Sequence, residues 1–188
     1  VNPADIEIAL KKTPGITAVF TTQCETSTGV VHDIKSISPL VKKYGALMIV
    51  DSITGIGVHQ FLMDEWNIDV AITGSQKGCM MPPGLAFVCV NSSAWGVIEK
   101  ADLPRYYWDF RKMRKDLKDK TTPFTPAVSL VMAMKTAMDM VKKEGLENVW
   151  KRHARLAHAT REGAKALGLE LVAGEYASNV LTAIKAAK

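Results

Sequence analysis

Ala46-Leu47-Met48-Ile49-Val50-Asp51-Ser52, then Val70-Ala71-Ile72-Thr73-Gly74-Ser75-Gln76-Lys77, then Pro82-Pro83-Gly84-Leu85-Ala86-Phe87-Val88-Cys89-Val90: each of these stretches holds one apolar run bounded by small polar or turn residues. Short aliphatic and β-branched runs with turn residues at their ends, preceded by a helical pattern, read as buried strands. Their near-continuous apolar character points to a mostly parallel α/β sheet flanked by helices. In such sheets the chemistry sits beyond the carboxyl ends of the strands. That rule places Asp51 and Lys77 on one rim.

Upstream, Asn2 followed by Pro3 reads as a cap and first helical position, with Asp5 in the favourable first turn. This helix runs to about Lys12 and stops before Pro14-Gly15. A strand is expected over 16–21, ending in the polar loop Thr22-Gln23-Cys24-Glu25-Thr26-Ser27-Thr28-Gly29. A helix over 36–44 follows, with Ile37, Leu40 and Val41 on one face and Gly45 as its stop. Strand, loop, helix and strand make a βαβ unit, right-handed by default.

Downstream, a helix is expected around 94–101, then a charged stretch over 105–120 and a loop over 121–126 punctuated by Pro123 and Pro126. Helices follow over 127–143 and 146–167, broken by Gly145. Val128, Val131, Met132, Met134, Ala137, Met138 and Val141 give the first a broad apolar face, read as core packing. Residues 169–172 and 180–184 read as two further strands. The division expected is a partial large domain over 1–143 and the beginning of a smaller one over 144–188. Both ends of the chain look cut.

With 47% hydrophobic and 23% charged residues the composition is that of a soluble globular protein. No apolar run approaches a membrane span, and no signal-peptide pattern opens the chain. The excess of five positive charges is diluted by Asp109, Asp116 and Asp119 where it is densest, which argues for a solvated face and against a nucleic-acid partner. Cys24, Cys79 and Cys89 form no CxxC and cannot all pair, so a reducing cytosol is expected. The four histidines show no metal-ligand spacing, and no GxGxxG or P-loop pattern is present.

Lys77 follows a buried strand, lies between Gly74 and Gly78, and precedes Met80-Met81-Pro82-Pro83-Gly84. A lysine in such a partly apolar site loses its proton more readily and can form an imine with an aldehyde. Gly74 and Gly78 are expected to let backbone approach a bulky cofactor. A strand-end aspartate can cap the helix that follows, or it can keep a pyridinium nitrogen protonated, and spacing leaves both roles open for Asp51. Lysine and acid together suit pyridoxal phosphate. Thr26, Ser27 and Thr28 offer hydroxyls to a phenolate oxygen or a phosphate.

Four motifs in this order, Gln-Cys-Glu-Thr-Ser-Thr-Gly at 23–29, Ile-Val-Asp-Ser at 49–52, Thr-Gly-Ser-Gln-Lys at 73–77 and Pro-Pro-Gly at 82–84, resemble class V aminotransferases of fold type I. The alanine–glyoxylate and serine–pyruvate branch is the most similar, and Glu144-Gly145-Leu146-Glu147-Asn148 resembles that family's junction of two domains. The resemblance implies pyridoxal 5'-phosphate as cofactor, with Lys77 as Schiff-base lysine and Asp51 at the ring nitrogen. It implies Ile53 against one ring face, Thr26 on the phenolic oxygen, and Gln76 with Ser75 on the phosphate. A homodimer is implied too, with Thr125, or else Thr122, reaching the partner's phosphate. The substrates implied are small amino acids, alanine or serine, and the 2-oxo acids glyoxylate or pyruvate. The family's Gly-rich phosphate loop, its second ring-stacking aromatic and its carboxylate-binding arginine are expected outside this sequence. The alternatives are a non-catalytic fragment or assembly module, and another class V enzyme such as a desulfurase or lyase. Desulfurases usually carry His before the lysine, where Gln76 stands here.

Overall fold

A computed structural model describes residues 1–186 of the chain. Four strands form the main sheet: β1 (Ala18–Thr22), β4 (Leu47–Asp51), β5 (Val70–Gly74) and β6 (Ala86–Val90), in spatial order β1-β4-β5-β6. The first three are parallel and β6 runs antiparallel to β5. The expected mostly parallel sheet is observed, with each strand one or two residues from its expected place. The reversal at β6 has a simple cause: the turn after β5 is too short for the crossover that a parallel neighbour requires.

Two helices cover one face. Asn2 caps α1 (Pro3–Lys12) by accepting the Ala4 amide at 3.0 Å. Asp33 caps α2 (Ile34–Lys43) through the Ser36 amide at 3.1 Å, so the helix starts two residues earlier than Ser36. Ile34, Ile37 and Val41 of α2 and Leu10 of α1 pack on Met48, Val50, Ile68 and Ala71, forming the buried core. The alternation of β4, with Met48 and Val50 buried, faces these helices.

At the opposite end from the rim, Asp69 is fully buried just before β5. Its carboxylate accepts from Lys42 Nζ at 2.9 and 2.7 Å, the Met48 amide at 2.7 Å and Asn91 Nδ2 at 2.9 Å. One carboxylate thereby joins α2, β4, β5 and the cap of α3 (Ser92–Ile98). A buried charge held this way is compensated several times over.

The polar loop after β1 folds back as a small hairpin, β2 (Cys24–Glu25) with β3 (Val30–Val31). The charged stretch contains α4 (Phe110–Lys118), none of whose residues is buried, in keeping with a solvated face. Then come α5 (Val128–Glu144) and α6 (Leu146–Ala166), separated at Gly145 with φ of 87°. Only the second half of the α5 apolar face packs: Ala137 is buried and Met134 and Met138 are partly so, whereas Val128, Val131 and Met132 are exposed. The core role expected for the whole face therefore holds for half of it. Past α6, the two expected strands reduce to one antiparallel bridge, Leu171 to Ile184. The expected division at 143/144 lies within the last turn of α5, one residue before its end at Glu144, and the last two residues of its second part lie outside the described residues.

Candidate functional site

The carboxyl ends of β1, β4 and β5 lie side by side, with Thr22 paired to Asp51 and Asp51 paired to Ile72. Three loops therefore leave one rim, bearing Thr26, Asp51 with Ile53, and Ser75-Gln76-Lys77. Parallel pairing alone brings together residues far apart in sequence.

Asp51 holds its own loop. Its Oδ1 accepts the Ile53 amide at 2.9 Å, while Oδ2 has no hydrogen-bond partner among the described residues. Ser52 is fully buried and donates to Gln23 Oε1, which ties the β4 loop to the β1 loop. Gln23 also accepts the His32 amide on its carbonyl at 2.8 Å. The Thr26 and Thr54 hydroxyls meet at 2.8 Å, a second link between the same two loops.

The Lys77 loop is a tight turn. Ser75 donates its amide to the Leu85 carbonyl at 3.0 Å, and the Met80 amide donates to the Lys77 carbonyl at 2.9 Å. Lys77 and Gln76 are exposed on it. Ser75 is not: it is fully buried, its hydroxyl donates to the Pro82 carbonyl at 2.7 Å and accepts the Leu85 amide at 3.2 Å. Ser75 thus closes the turn through its hydroxyl. Gly78 also has another purpose than cofactor approach. A Cβ there would lie 2.1 Å from the Ile56 carbonyl oxygen, so the glycine lets the Lys77 loop press on the loop after Asp51. Gly57 faces the same contact, its notional Cβ 2.9 Å from the Gly78 carbonyl oxygen.

The Cys24 thiol is pushed up above all by burial, brought down by its hydrogen bond to Ser178, raised by Glu25 and lowered, least of the four, by Lys77. In the loop before α5, Thr122 donates to the Phe124 carbonyl at 2.6 Å, while Thr125 is exposed. A cavity of about 620 Å³ opens beside the rim between Gln23, His32, His59, Trp66 and Tyr176, lined by neither Asp51 nor Lys77.

The fit of pyridoxal phosphate to these residues rests on the donor set: an exposed amine on Lys77, an Asp51 carboxylate oxygen without a partner among the described residues, and hydroxyls on Thr26 and Thr54, with the apolar Ile53 two residues after Asp51. Sequence reasoning missed Gln23, Ser52 and Thr54, which hold the loops together. Gln23 stands within a quoted motif, so its type was visible although its partner was not.

The family model described as Aminotransferase class-V matches residues 2–185. A soluble hydrogenase small subunit of Synechococcus is 48% identical over 189 residues, which cover 98% of this chain and 49% of that protein. The serine–glyoxylate aminotransferase of Arabidopsis thaliana is 38% identical, over 90% of this chain and 43% of the relative. Among solved structures, the pyridoxamine–pyruvate aminotransferase of Mesorhizobium loti superposes with a TM-score of 0.94 at 33% identity, covering 100% of this chain and 49% of that one. The chain spans about half the length of the curated relatives it matches. The fold is that of fold-type I enzymes. Matched along nearly all its length, the chain belongs to the class V aminotransferases, a family that depends on pyridoxal phosphate.

Proposed function

We propose that this chain carries the reacting centre of a transaminase that moves an amino group from a small amino acid, alanine or serine, to glyoxylate or pyruvate. The observation that carries the reading is the juxtaposition of Lys77 and Asp51 on adjacent strand ends, the amine exposed and Oδ2 of the carboxylate unengaged. When bound, pyridoxal phosphate supplies a cationic ring that takes up the electrons left on a substrate carbon.

This chain's residues do the rest. Asp51 holds a proton on the ring nitrogen by its negative charge. Lys77 Nζ would be the covalent attachment point and, once the incoming amine has displaced it, would take the proton from the substrate α-carbon and deliver it to the cofactor-side carbon of the C–N bond, as general base and then acid. Ile53 offers an apolar surface to one ring face, and Thr26 and Gln76 offer donors to its oxygens. Ser75 contributes by keeping the Lys77 turn closed. Substrate class is supported by serine and glyoxylate as the substrates of the Arabidopsis protein and by pyruvate as that of the Mesorhizobium one.

The same reading includes a homodimer in which Thr125 reaches the partner's cofactor, supported by its exposure in a loop where the Thr122 hydroxyl is internally bonded. It includes a cofactor-binding domain over 1–143 and the start of a smaller domain over 144–188. A reducing cytosol suits the three free cysteines.

The test uses the full-length protein. Borohydride reduction should fix the cofactor to Lys77, and Lys77→Ala should abolish the lysine-linked visible absorbance and lower turnover by several orders of magnitude. A variant that kept both would end the reading.

A further inference from the structure

After α6 the chain returns to the rim and is fastened there at one residue. Ala177 bridges Val30 in antiparallel sense, and the Ser178 amide donates to the Gly29 carbonyl at 2.7 Å. Ser178 is fully buried. Its hydroxyl lies 3.1 Å from Cys24 Sγ, 3.0 Å from the Val180 amide and 2.9 Å from His59 Nε2.

A hydroxyl has one hydrogen to give and two lone pairs to accept with. The thiol and the Val180 amide are both donors here, so the Ser178 hydrogen goes to His59 Nε2. That nitrogen also accepts the Asn179 amide at 3.2 Å. Accepting twice, Nε2 carries no proton, and the ring is neutral with its hydrogen on Nδ1. The other side of Ser178 is anchored to α6: Arg161 donates from Nη1 to the Ser178 carbonyl at 2.8 Å and from Nη2 to Asn179 Oδ1 at 3.4 Å.

These contacts end on two of the rim loops. Cys24 and Gly29 flank Thr26. His59 closes the turn that begins at Ser52 and carries Ile53 and Thr54, its amide donating to the Gly55 carbonyl at 2.9 Å. We propose that Ser178 is a positioning residue for the cofactor site, holding the 24–29 loop and the 52–59 turn in the register that sets Thr26 against Thr54. This deepens the transaminase reading and rests on it.

The experiment compares full-length wild type with Ser178→Ala, and with Arg161→Gln in case the first fails to fold. Three quantities are read: amide hydrogen exchange of the cofactor-free protein, the tautomer and Nε2 resonance of His59 by nitrogen NMR, and the dissociation constant of pyridoxal phosphate. Expected in Ser178→Ala is faster exchange confined to 24–31 and 55–60, a shifted His59 Nε2 resonance as one of its two donors is lost while the Asn179 amide keeps the Nδ1–H tautomer, and cofactor affinity about tenfold weaker, the scale of one lost hydrogen bond. Arg161→Gln keeps the tautomer and shows the same local exchange. Exchange that rises evenly through β4, β5 and α2 would mean Ser178 is packing alone, and unchanged exchange and affinity would equally overturn the proposal. Failure of the underlying reading shows elsewhere, as cofactor attached to a residue other than Lys77; exchange and the His59 resonance then still decide whether Ser178 fastens the loops.

Discussion

Asp51 Oδ1 accepts the Ile53 amide at 2.9 Å, so the aspartate both fixes the turn after β4 and keeps a second oxygen for the rim. Among the described residues no helix lies between β4 and β5, so the cap that spacing allowed becomes a turn bond on Oδ1, while Oδ2 is left for the ring nitrogen of the proposed function, and a single substitution separates the two. Asp51→Asn retains an oxygen for the Ile53 amide and loses the charge. The full-length variant should keep its unfolding midpoint and its attached cofactor, while transamination slows about a hundredfold or more, the scale of a lost electrostatic contact in a water-excluded site. Single-turnover rates check this, and an unchanged rate at full occupancy would leave the turn as the only role of Asp51.

Asp69 is the corresponding device at the other end of the sheet, and its worth is stability. Asp69→Ala strips partners from Lys42 Nζ, the Met48 amide and Asn91 Nδ2 together. Breaking a buried ion pair from one side costs about 3–5 kcal/mol. Lys42→Met leaves the fully buried Asp69 carboxylate charged with only the Met48 and Asn91 donors, so its cost should be of the same order. Denaturant midpoints of the two variants measure this, and a negligible loss in either would contradict the hub role of the carboxylate.

The strands β4 and β5 were legible because aliphatic runs end abruptly at Asp51 and at Gly74-Ser75, and the rim followed from them by topology. The direction of β6 was in the sequence as well, in the shortness of the turn between Gly74 and Ala86. What no run or spacing could show were partners made by folding alone. Ser178 and His59 meet across 119 positions of sequence, and Thr26 and Thr54 across 28. The two-residue strands β2 and β3 are too short for any periodicity to mark them. The apolar first half of α5 reads as core because apolar residues do so by default, although Val131 and Met132 are exposed.

Glycine substitutions separate close approach from simple flexibility. Gly78→Ala puts a Cβ 2.1 Å from the Ile56 carbonyl oxygen, and backbone cannot yield there as a side chain would. Displacing the two loops should cost about 1–3 kcal/mol and loosen cofactor binding with it. Gly163→Ala, within α6 and with nothing within 4 Å of the new Cβ, should instead stabilise by roughly 0.5–1 kcal/mol. Thermal midpoints of both variants test the pair, and a harmless Gly78→Ala would mean that the loops do not touch as described.

The last prediction concerns pH. Burial, then the charges of His153 and Arg161, hold His59 below its ordinary value of 6.5. Around its ring stand His153 and Arg161 from α6 and Cys24 from β2, with His32, Asp33, Lys35 and Glu175 on the same cavity. In the unfolded chain the imidazole regains its ordinary value, so between that value and the lowered one the unfolded state binds a proton that the folded state refuses. Stability from this group is therefore complete above 6.5 and is lost as pH falls toward the folded value. The carboxylates of Glu7, Glu25, Glu144, Glu162 and Glu170 are held below their ordinary 4.5 in the fold, so their share begins to be lost only below that value, whereas that of the histidine begins to be lost at 6.5. Cys24 works at the other extreme: its thiol is raised above 9.0, and its share of stability is present below that value and lost as pH rises through the folded one. His59→Gln keeps an acceptor for Ser178 and Asn179 at every pH. Its unfolding midpoint should stay flat on mild acidification where that of the wild type declines, and parallel curves for the two proteins would show that His59 does not titrate in this window.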